Sequence, residues 1–477
     1  MTAVRTRFAP SPTGFLHVGN VRAALYPWLI ARQSGGTFVL RIEDTDQARE
    51  VAGAVAVMHD TLNWLGMEWD EGPDKPGSVG PYTQSERKDI YLKWAMRMAE
   101  QGIAYADVRT PAELEALRED AKSKKKPFLA RDYRPENPPA WQPGMPLRFL
   151  STPQAYHWHD EIMGDLNAGE EAVDDFIIMK SDGLPTYNFA HIIDDHEMGI
   201  THVIRGLEYI ASMPKYLNLY EALDIPKPVF AHAPHIMNEQ GNKKLGKRDG
   251  AKGVLDYREQ GILPETMLNF LASMGWNDGT EQEIFTRDEL IAKFSLSRVQ
   301  RSGARFDEQR LLWMNGTWIR SLSLDDLFAR ARGFWQPAAA SADEEYRKQV
   351  LSLVQERLKY LAELPELTNF FFGELPVNLD LIDGNKQLKK FSHSELADLL
   401  EQTIAKLEQS DWTADDLQTK LNELLEQTGQ KPGVLFSLIR VATTWAPFSP
   451  ALNETLAALG RKTSLQRIRD SHQTLKG

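Results

Sequence analysis

FAPSPTGFLHVGN, residues 8–20, links a short apolar run, VRTRFA (4–9), to a segment of helical content, 18–33, that Ser34-Gly35-Gly36 stops. TFVLRIEDTD then predicts a second strand, and 54–65 predicts a second helix closed by Gly66. Strand, helix, strand, helix in this order predicts a parallel α/β unit with a right-handed crossover. Pro27 predicts a bend in the first helix, because it lacks an N–H. In open parallel sheets, ligands bind beyond the carboxyl ends of the strands, and phosphates meet helix N-terminal amides at the first strand–loop–helix turn. The quoted loop is that turn. Gly14 and Gly19 let the backbone approach a ligand, and His17 is placed to donate to a phosphoryl oxygen that gains charge in a transition state.

The 477 residues, 42% hydrophobic, suffice for about three domains. No uncharged apolar run reaches the ~18 residues of a membrane span, and Met1–Arg7 does not resemble a secretory leader, so a cytoplasmic protein is expected. Cysteine is absent, which excludes disulfides, thiolate zinc sites and cysteine nucleophiles. A net charge of −12 gives no overall field that attracts a polyanion. Nucleic acid would need local basic patches, such as KSKKK at 122–126, with Arg131 and Arg134 beyond it.

Residues ~110 to ~175 break the α/β rhythm, with five prolines between 135 and 146, and are expected to form an insertion. Apolar runs ending in polar clusters resume in DDFIIMKSDGLPTYNFAHIIDDHEMGITHVIRG. PVFAHAPHIM predicts a further strand leading into NEQGNKKLGKRDGAKG. From ~320 onward the pattern is helical alone. One face comprises Val350, Leu353, Val354, Leu358 and Leu361; a second comprises Leu396, Leu399, Leu400, Ile404 and Leu407, opened by a Ser392/Glu395 capping box; a third comprises Leu417, Leu421, Leu424 and Leu425.

Lys243, Lys244, Lys247 and Arg248 lie in a glycine-punctuated loop after a late strand, a cationic loop suited to a polyphosphate leaving group. Glu43, Asp44 and Asp46 end the second strand at the same sheet edge, where they could bind an ammonium or a hydroxyl. The pairs His157/His159 and His232/His235 could tempt a zinc assignment, which is disfavoured.

His17-Val18-Gly19-Asn20 resembles the HIGH motif of class I aminoacyl-tRNA synthetases, and Lys244-Leu245-Gly246-Lys247-Arg248 resembles their KMSKS loop. Within that class, RFAPSPTG, RIEDTD, DEGP, PYTQSER, SDGLPTYNFA, VIRG and WMNG together resemble the bacterial glutamyl-tRNA synthetases, a class Ib family, over Arg7–Gly316. The resemblance implies an α/β Rossmann-type catalytic domain interrupted by an acceptor-binding insertion and followed by an all-α anticodon-binding region. The expected divisions are 1–110 and 186–235 for the catalytic halves, 111–185 for the insertion, 236–320 for a stem-contact domain with the KMSKS-like loop, and 321–477 for the helical part.

It also implies an activity. Such enzymes join glutamate to the α-phosphate of ATP, with Mg²⁺, release pyrophosphate and transfer the glutamyl group to the terminal adenosine of tRNA-Glu. His17, Lys244 and Lys247 take the catalytic positions. Pro10, Thr13, Gly14, His17, Gly19, Lys244, Lys247 and Arg248 take those that hold ATP. Arg7, Tyr187 and Arg205 correspond to the side-chain carboxylate site, Ser11 and Glu43 to the α-amino acid contacts, and His191 to a further pocket position. Lys124, Lys125 and Lys126 are expected to contact tRNA, and Arg357 aligns with an arginine that reads the third anticodon base in enzymes restricted to tRNA-Glu. A guanidinium offers donors only and so prefers a carboxylate to an amide. Glutaminyl relatives usually read PEPNG where Pro10–Gly14 stands, lack the second arginine and carry C-terminal β-barrels, so glutamate is favoured.

Three residues depart from the family: Gly246 replaces a serine, His191 stands where asparagine is frequent, and Tyr209 where tryptophan is common. Some relatives bind zinc through cysteines, and none is expected here. A monomer is expected. A non-discriminating enzyme that also charges tRNA-Gln stays open. A catalytically silent tRNA-binding paralogue is disfavoured by the retained motifs, and a small-molecule nucleotidylyltransferase or an anticodon-modifying enzyme by the helical C-terminal part.

Overall fold

The computed structural model describes residues 3–246, 252–373, 375–446 and 448–477. The chain forms two compact units, Met1–Tyr257 with Pro264–Glu308, and Arg258–Leu263 with Gln309–Gly477.

In the first unit, strand β1 (Arg5–Phe8), helix α1 (Val18–Gln33), strand β2 (Thr37–Leu40) and helix α2 (Ala54–Trp64) follow the order expected. β1 and β2 pair in parallel, from Arg5 opposite Thr37 to Phe8 opposite Leu40. The ladder is shorter than the apolar run because, beyond Leu40, the chain turns to the quoted loop. Glu43 N–H donates to the Pro10 carbonyl at 3.0 Å and Val51 N–H to that of Pro12 at 2.9 Å. α1 is continuous through Pro27, whose carbonyl accepts from the Thr6 hydroxyl at 2.8 Å. Ten of its residues are buried, so packing on nearly all sides offsets the lost hydrogen bond.

Helix α3 (Lys88–Glu100) leads to β3 (Ala104–Ala106), which pairs antiparallel with β4 (Leu147–Phe149), and β4 with β7 (Ile177–Met179). Between β3 and β4 lies α4 (Pro111–Ser123), opened by a Thr110/Glu113 capping box. β5 (Tyr156–Asp160) and β6 (Gly164–Ala168) form a hairpin. His157 and His159 face solvent from it, while Asp160 is buried at its turn and accepts from the N–H groups of Ile162 and Met163. The antiparallel sheet thus begins a few residues before the insertion expected at 111–185.

Parallel structure returns with α5 (Tyr187–Glu197), β8 (His202–Gly206), α6 (Met213–Leu223), β9 (Val229–Ala233) and the short β10 (Ile236–Met237). β8 pairs with β9 in parallel, and Thr201, just ahead of β8, exchanges hydrogen bonds with Arg5 of β1. Tyr91, Phe149, Ile178, Phe189, Ile193 and Tyr216 close one shared core, each such side chain contributing about 1.5–3 kcal/mol by burial.

The described residues of the second unit form helices with no strand. Leu396, Leu400, Leu407, Leu417, Leu421 and Leu424 are buried together with Leu435, Leu438, Leu456 and Ile468, while Ile404 and Leu425 are partly buried. The helix His393–Leu407 opens with the Ser392/Glu395 box in place.

Candidate active site

A pocket of about 400 Å³ opens at the carboxyl ends of β1 and β8 in the first unit. Its floor comes from the next-to-last residues of those strands, Arg7 and Arg205, and its rim from the loop at 8–20, where Pro10, Ser11, Thr13 and Gly14 line it. His17, Gly19, Glu43, Tyr187 and Lys244 complete the expected set facing this space. Lys247 and Arg248 lie outside the described residues.

His17 caps α1. Its Nδ1 accepts from the Gly19 N–H at 3.0 Å, and its own N–H donates to the Asn20 side chain at 3.2 Å. An Nδ1 that accepts places the proton of a neutral ring on Nε2, which makes that nitrogen a donor. A Cβ at position 19 would come within 2.8 Å of the His17 ring and push it out of this geometry, so glycine keeps the ring in place. The positive end of the α1 dipole lies beside the same rim, where anionic groups gain stability.

Lys244 pairs in antiparallel fashion with Met237, and its Nζ lies 3.4 Å from Glu208. His235 Nδ1 is 3.6 Å from the other Glu208 oxygen. Neither Glu208 nor His235 was singled out as a site residue in the sequence, nor was the buried Arg22, which donates to the carbonyls of Met274 and Pro234 and also lines the pocket. An acidic residue two positions beyond VIRG, at the end of a strand, was the available signal for Glu208.

Arg7 is tied to Asp195, with Nε 3.1 Å from Oδ1. Arg41, fully buried, lies 2.7 Å from Asp195 and 2.9 Å from Glu43. Asp194 is held by Arg87 at 2.7 Å and by the Tyr91 hydroxyl. Burial alone would push the Asp195 carboxyl up, but Arg7 and Arg41 hold it well below the ordinary carboxylate range. Burial raises the Glu43 carboxyl despite Arg41, so an ammonium arriving beside it supplies favourable charge.

Arg205 lies against the rings of Tyr209 and Tyr216, at 5.1 and 4.9 Å to the centroids. Tyr187 stacks on His191 at 4.8 Å and meets Tyr209 at 5.4 Å. His191 is buried behind the pocket wall, where its Nε2 lies 3.2 Å from Arg205 Nη1. The residue expected to contact glutamate therefore faces the arginine.

Lys124 ends α4 and pairs with Asp120 at 2.7 Å, next to Lys125 and Lys126 on the exposed surface. In the second unit Arg357 is exposed, and its charge, after burial itself, depresses the guanidinium of Arg440. Among the described residues no three His, Asp or Glu side chains cluster as a metal cage, and no helix is long and apolar enough to cross a membrane.

A phosphate-ready helix start that shares its pocket with Lys244, with an arginine near the end of each of two strands, is the arrangement of a nucleotide-dependent ligase for an acidic substrate. A family model for class I tRNA synthetases (E and Q), catalytic domain, matches residues 3–313, and one for an anticodon binding domain matches residues 326–471. The chain belongs to the class I tRNA synthetases of the E and Q family. It is 40% identical to a glutamate–tRNA ligase of Clostridium botulinum (strain Hall), covering 99% of both chains, and 42% identical to that of Clostridium novyi (strain NT), covering 99% of this chain and 98% of the relative. The crystal structure of a glutamate tRNA ligase from Elizabethkingia meningosepticum CCUG26117 in complex with its amino acid matches with a TM-score of 0.88 at 31% identity, over 99% of each chain.

Proposed function

We propose that this chain is a glutamate–tRNA ligase that activates L-glutamate with ATP and transfers it to tRNA-Glu. The observation that carries the reading is the single pocket that joins the His17 helix start and Lys244 to Arg7, Glu43, Tyr187 and Arg205.

In the first step a glutamate α-carboxylate oxygen bonds to the α-phosphorus of ATP, and the bond from that phosphorus to the bridging oxygen breaks, releasing pyrophosphate. His17 Nε2–H and the Lys244 ammonium stabilise the phosphoryl charge as it develops, and Lys247 and Arg248 join them on the strength of the sequence resemblance. Glu43 receives the α-ammonium, Ser11 orients the α-amino acid portion, and Arg7, Tyr187 and Arg205 hold the side-chain carboxylate. In the second step a hydroxyl of the terminal adenosine attacks the activated carbonyl, AMP leaves, and the hydroxyl proton passes to the departing phosphate.

Among the described residues, the two carboxylates that line the pocket, Glu43 and Glu208, are paired with Arg41 and Lys244. Magnesium would enter with ATP and neutralise phosphate charge. We assign Lys124–Lys126 and Arg357 to tRNA contact, and a monomer as the working form. Exchange of labelled pyrophosphate into ATP, dependent on glutamate and measured with tRNA present, tests the reading; no exchange above background contradicts it.

A further inference from the structure

Three of the charged donors around the pocket are balanced by acids. Arg7, Arg41 and Arg87 are matched by Glu43, Asp194 and Asp195 in one buried ionic cluster. Arg205 is held differently. Its Nε donates to His232 Nε2 at 3.1 Å, its Nη1 lies 3.2 Å from His191 Nε2, and its Nη2 is 3.1 Å from Met213 Sδ. All three are neutral acceptors. Among the described residues no carboxylate pairs with it directly.

Each imidazole has its orientation set from behind. His232 Nδ1 lies 2.6 Å from Asp160 Oδ2, and that aspartate is fixed by the hairpin turn it caps. His191 Nδ1 lies 2.8 Å from the Tyr187 carbonyl, one helical turn back along α5. Since a carboxylate and a carbonyl only accept, both rings carry their proton on Nδ1 and turn a lone pair toward Arg205.

We propose that His191 and His232 are positioning residues for the amino-acid substrate: two neutral imidazoles that fix the Arg205 fork toward the pocket while leaving its charge for the substrate's side-chain carboxylate. The proposal rests on the glutamate reading of the pocket. A guanidinium has five N–H groups, and three are engaged here, which leaves one on each terminal nitrogen. That pair matches the two oxygens of a carboxylate, whereas an amide presents one oxygen and an NH₂ group that clashes with a donor. Had an aspartate stood at 191 or 232, it would have neutralised Arg205 and weakened the preference for an acid over its amide. Burial and the neighbouring cation lower the basicity of both rings, in keeping with their role as acceptors.

Kinetics of glutamate and glutamine activation, with His191→Phe and His191→Gln beside the unaltered chain, test this. Phenylalanine keeps the ring that stacks on Tyr187 but removes the acceptor; glutamine can restore one. We expect His191→Phe to raise KM for glutamate about tenfold, to leave kcat within about threefold, and to reduce the preference for glutamate over glutamine by a similar factor. His191→Gln recovers most of that loss. A folded His191→Phe variant with KM for glutamate within about twofold of the unaltered chain overturns the proposal while leaving the functional reading intact. An unaltered chain that does not activate glutamate overturns the reading itself. If His191→Phe does not fold, ¹⁵N NMR of histidine-labelled unaltered protein at neutral pH decides: protons on Nδ1 of both His191 and His232 support the proposal, and an Nε2 proton or an imidazolium at either contradicts it.

Discussion

Arg7 and Asp195 lie 3.1 Å apart, both buried, and Asp195 is shared with Arg41 at 2.7 Å. One acid therefore orients two cations beneath the pocket. Removing one partner of a buried pair strands the other charge, which costs about 3–5 kcal/mol. Asp195→Asn, nearly isosteric, should lose stability on that scale in urea unfolding and raise KM for glutamate. A loss under about 1 kcal/mol would show that the cluster rearranges freely.

His17 has two separable tasks, capping α1 and donating from Nε2. Asparagine caps a helix well but is too short to donate at the same point. His17→Asn should keep stability within about 1 kcal/mol while kcat for adenylate formation drops about 10²–10³-fold. Equal losses in stability and rate would reduce His17 to a cap.

Arg205 is expected to lose ten- to a hundredfold in kcat/KM for glutamate as Arg205→Ala, the value of about one charged hydrogen bond. Arg205→Lys should recover little, because an ammonium keeps the charge without the planar fork. Unchanged kcat/KM in either variant would remove Arg205 from the recognition of the carboxylate.

His191 is pushed down to about 3 by burial first and then by the charge of Arg205, with Arg7 adding to the effect and Asp195 opposing it. Its unfolded value is near 6.5, so below that pH the unfolded chain takes up a proton that the folded chain refuses. The stability contributed by this group is complete above pH ~6.5 and is lost as pH falls toward 3, at up to about 1.4 kcal/mol per pH unit. Unfolding measured at pH 7.5 and 5 should show a smaller acid loss for His191→Asn than for the unaltered chain; parallel curves would contradict the buried neutral ring.

Lys125 and Lys126 should contribute phosphate contacts, as should Lys124 once it leaves its exposed pairing with Asp120. tRNA affinity is expected to fall steeply between about 50 and 200 mM salt, and replacing Lys125 and Lys126 by alanine should lower the salt slope by about 1–2. A flat salt response would place the tRNA footprint elsewhere.

Much of this site was legible because its signals are local. The loop at 8–20 carries its own turn glycines and helix cap, and the strand-ending arginines sit in apolar runs whose direction the motif order fixes. The capping box at Ser392 is likewise contained within four residues. Asp195, Asp160 and His232 were missed as supports because their partners are remote: Arg7 and Asp195 are 188 positions apart, and Asp160 and His232 are 72 apart. Nothing within either segment marks which distant charge will meet it. His191 shows the complementary limit, since its helical position was clear but not whether its ring faced the ligand or the arginine behind it. α1 runs through Pro27 as one element, and the burial that holds it together there depends on neighbours that the local residues do not reveal.

On the proposed function, one pocket serves ATP, glutamate and the tRNA terminus in turn. The most direct test is transfer of radiolabelled glutamate to separate tRNA-Glu and tRNA-Gln transcripts with ATP and Mg²⁺. Charging of tRNA-Glu is expected, and is lost with His17→Asn. Charging of both would keep the chemistry and deny Arg357 its discriminating role, and charging of neither would overturn the glutamate–tRNA ligase reading.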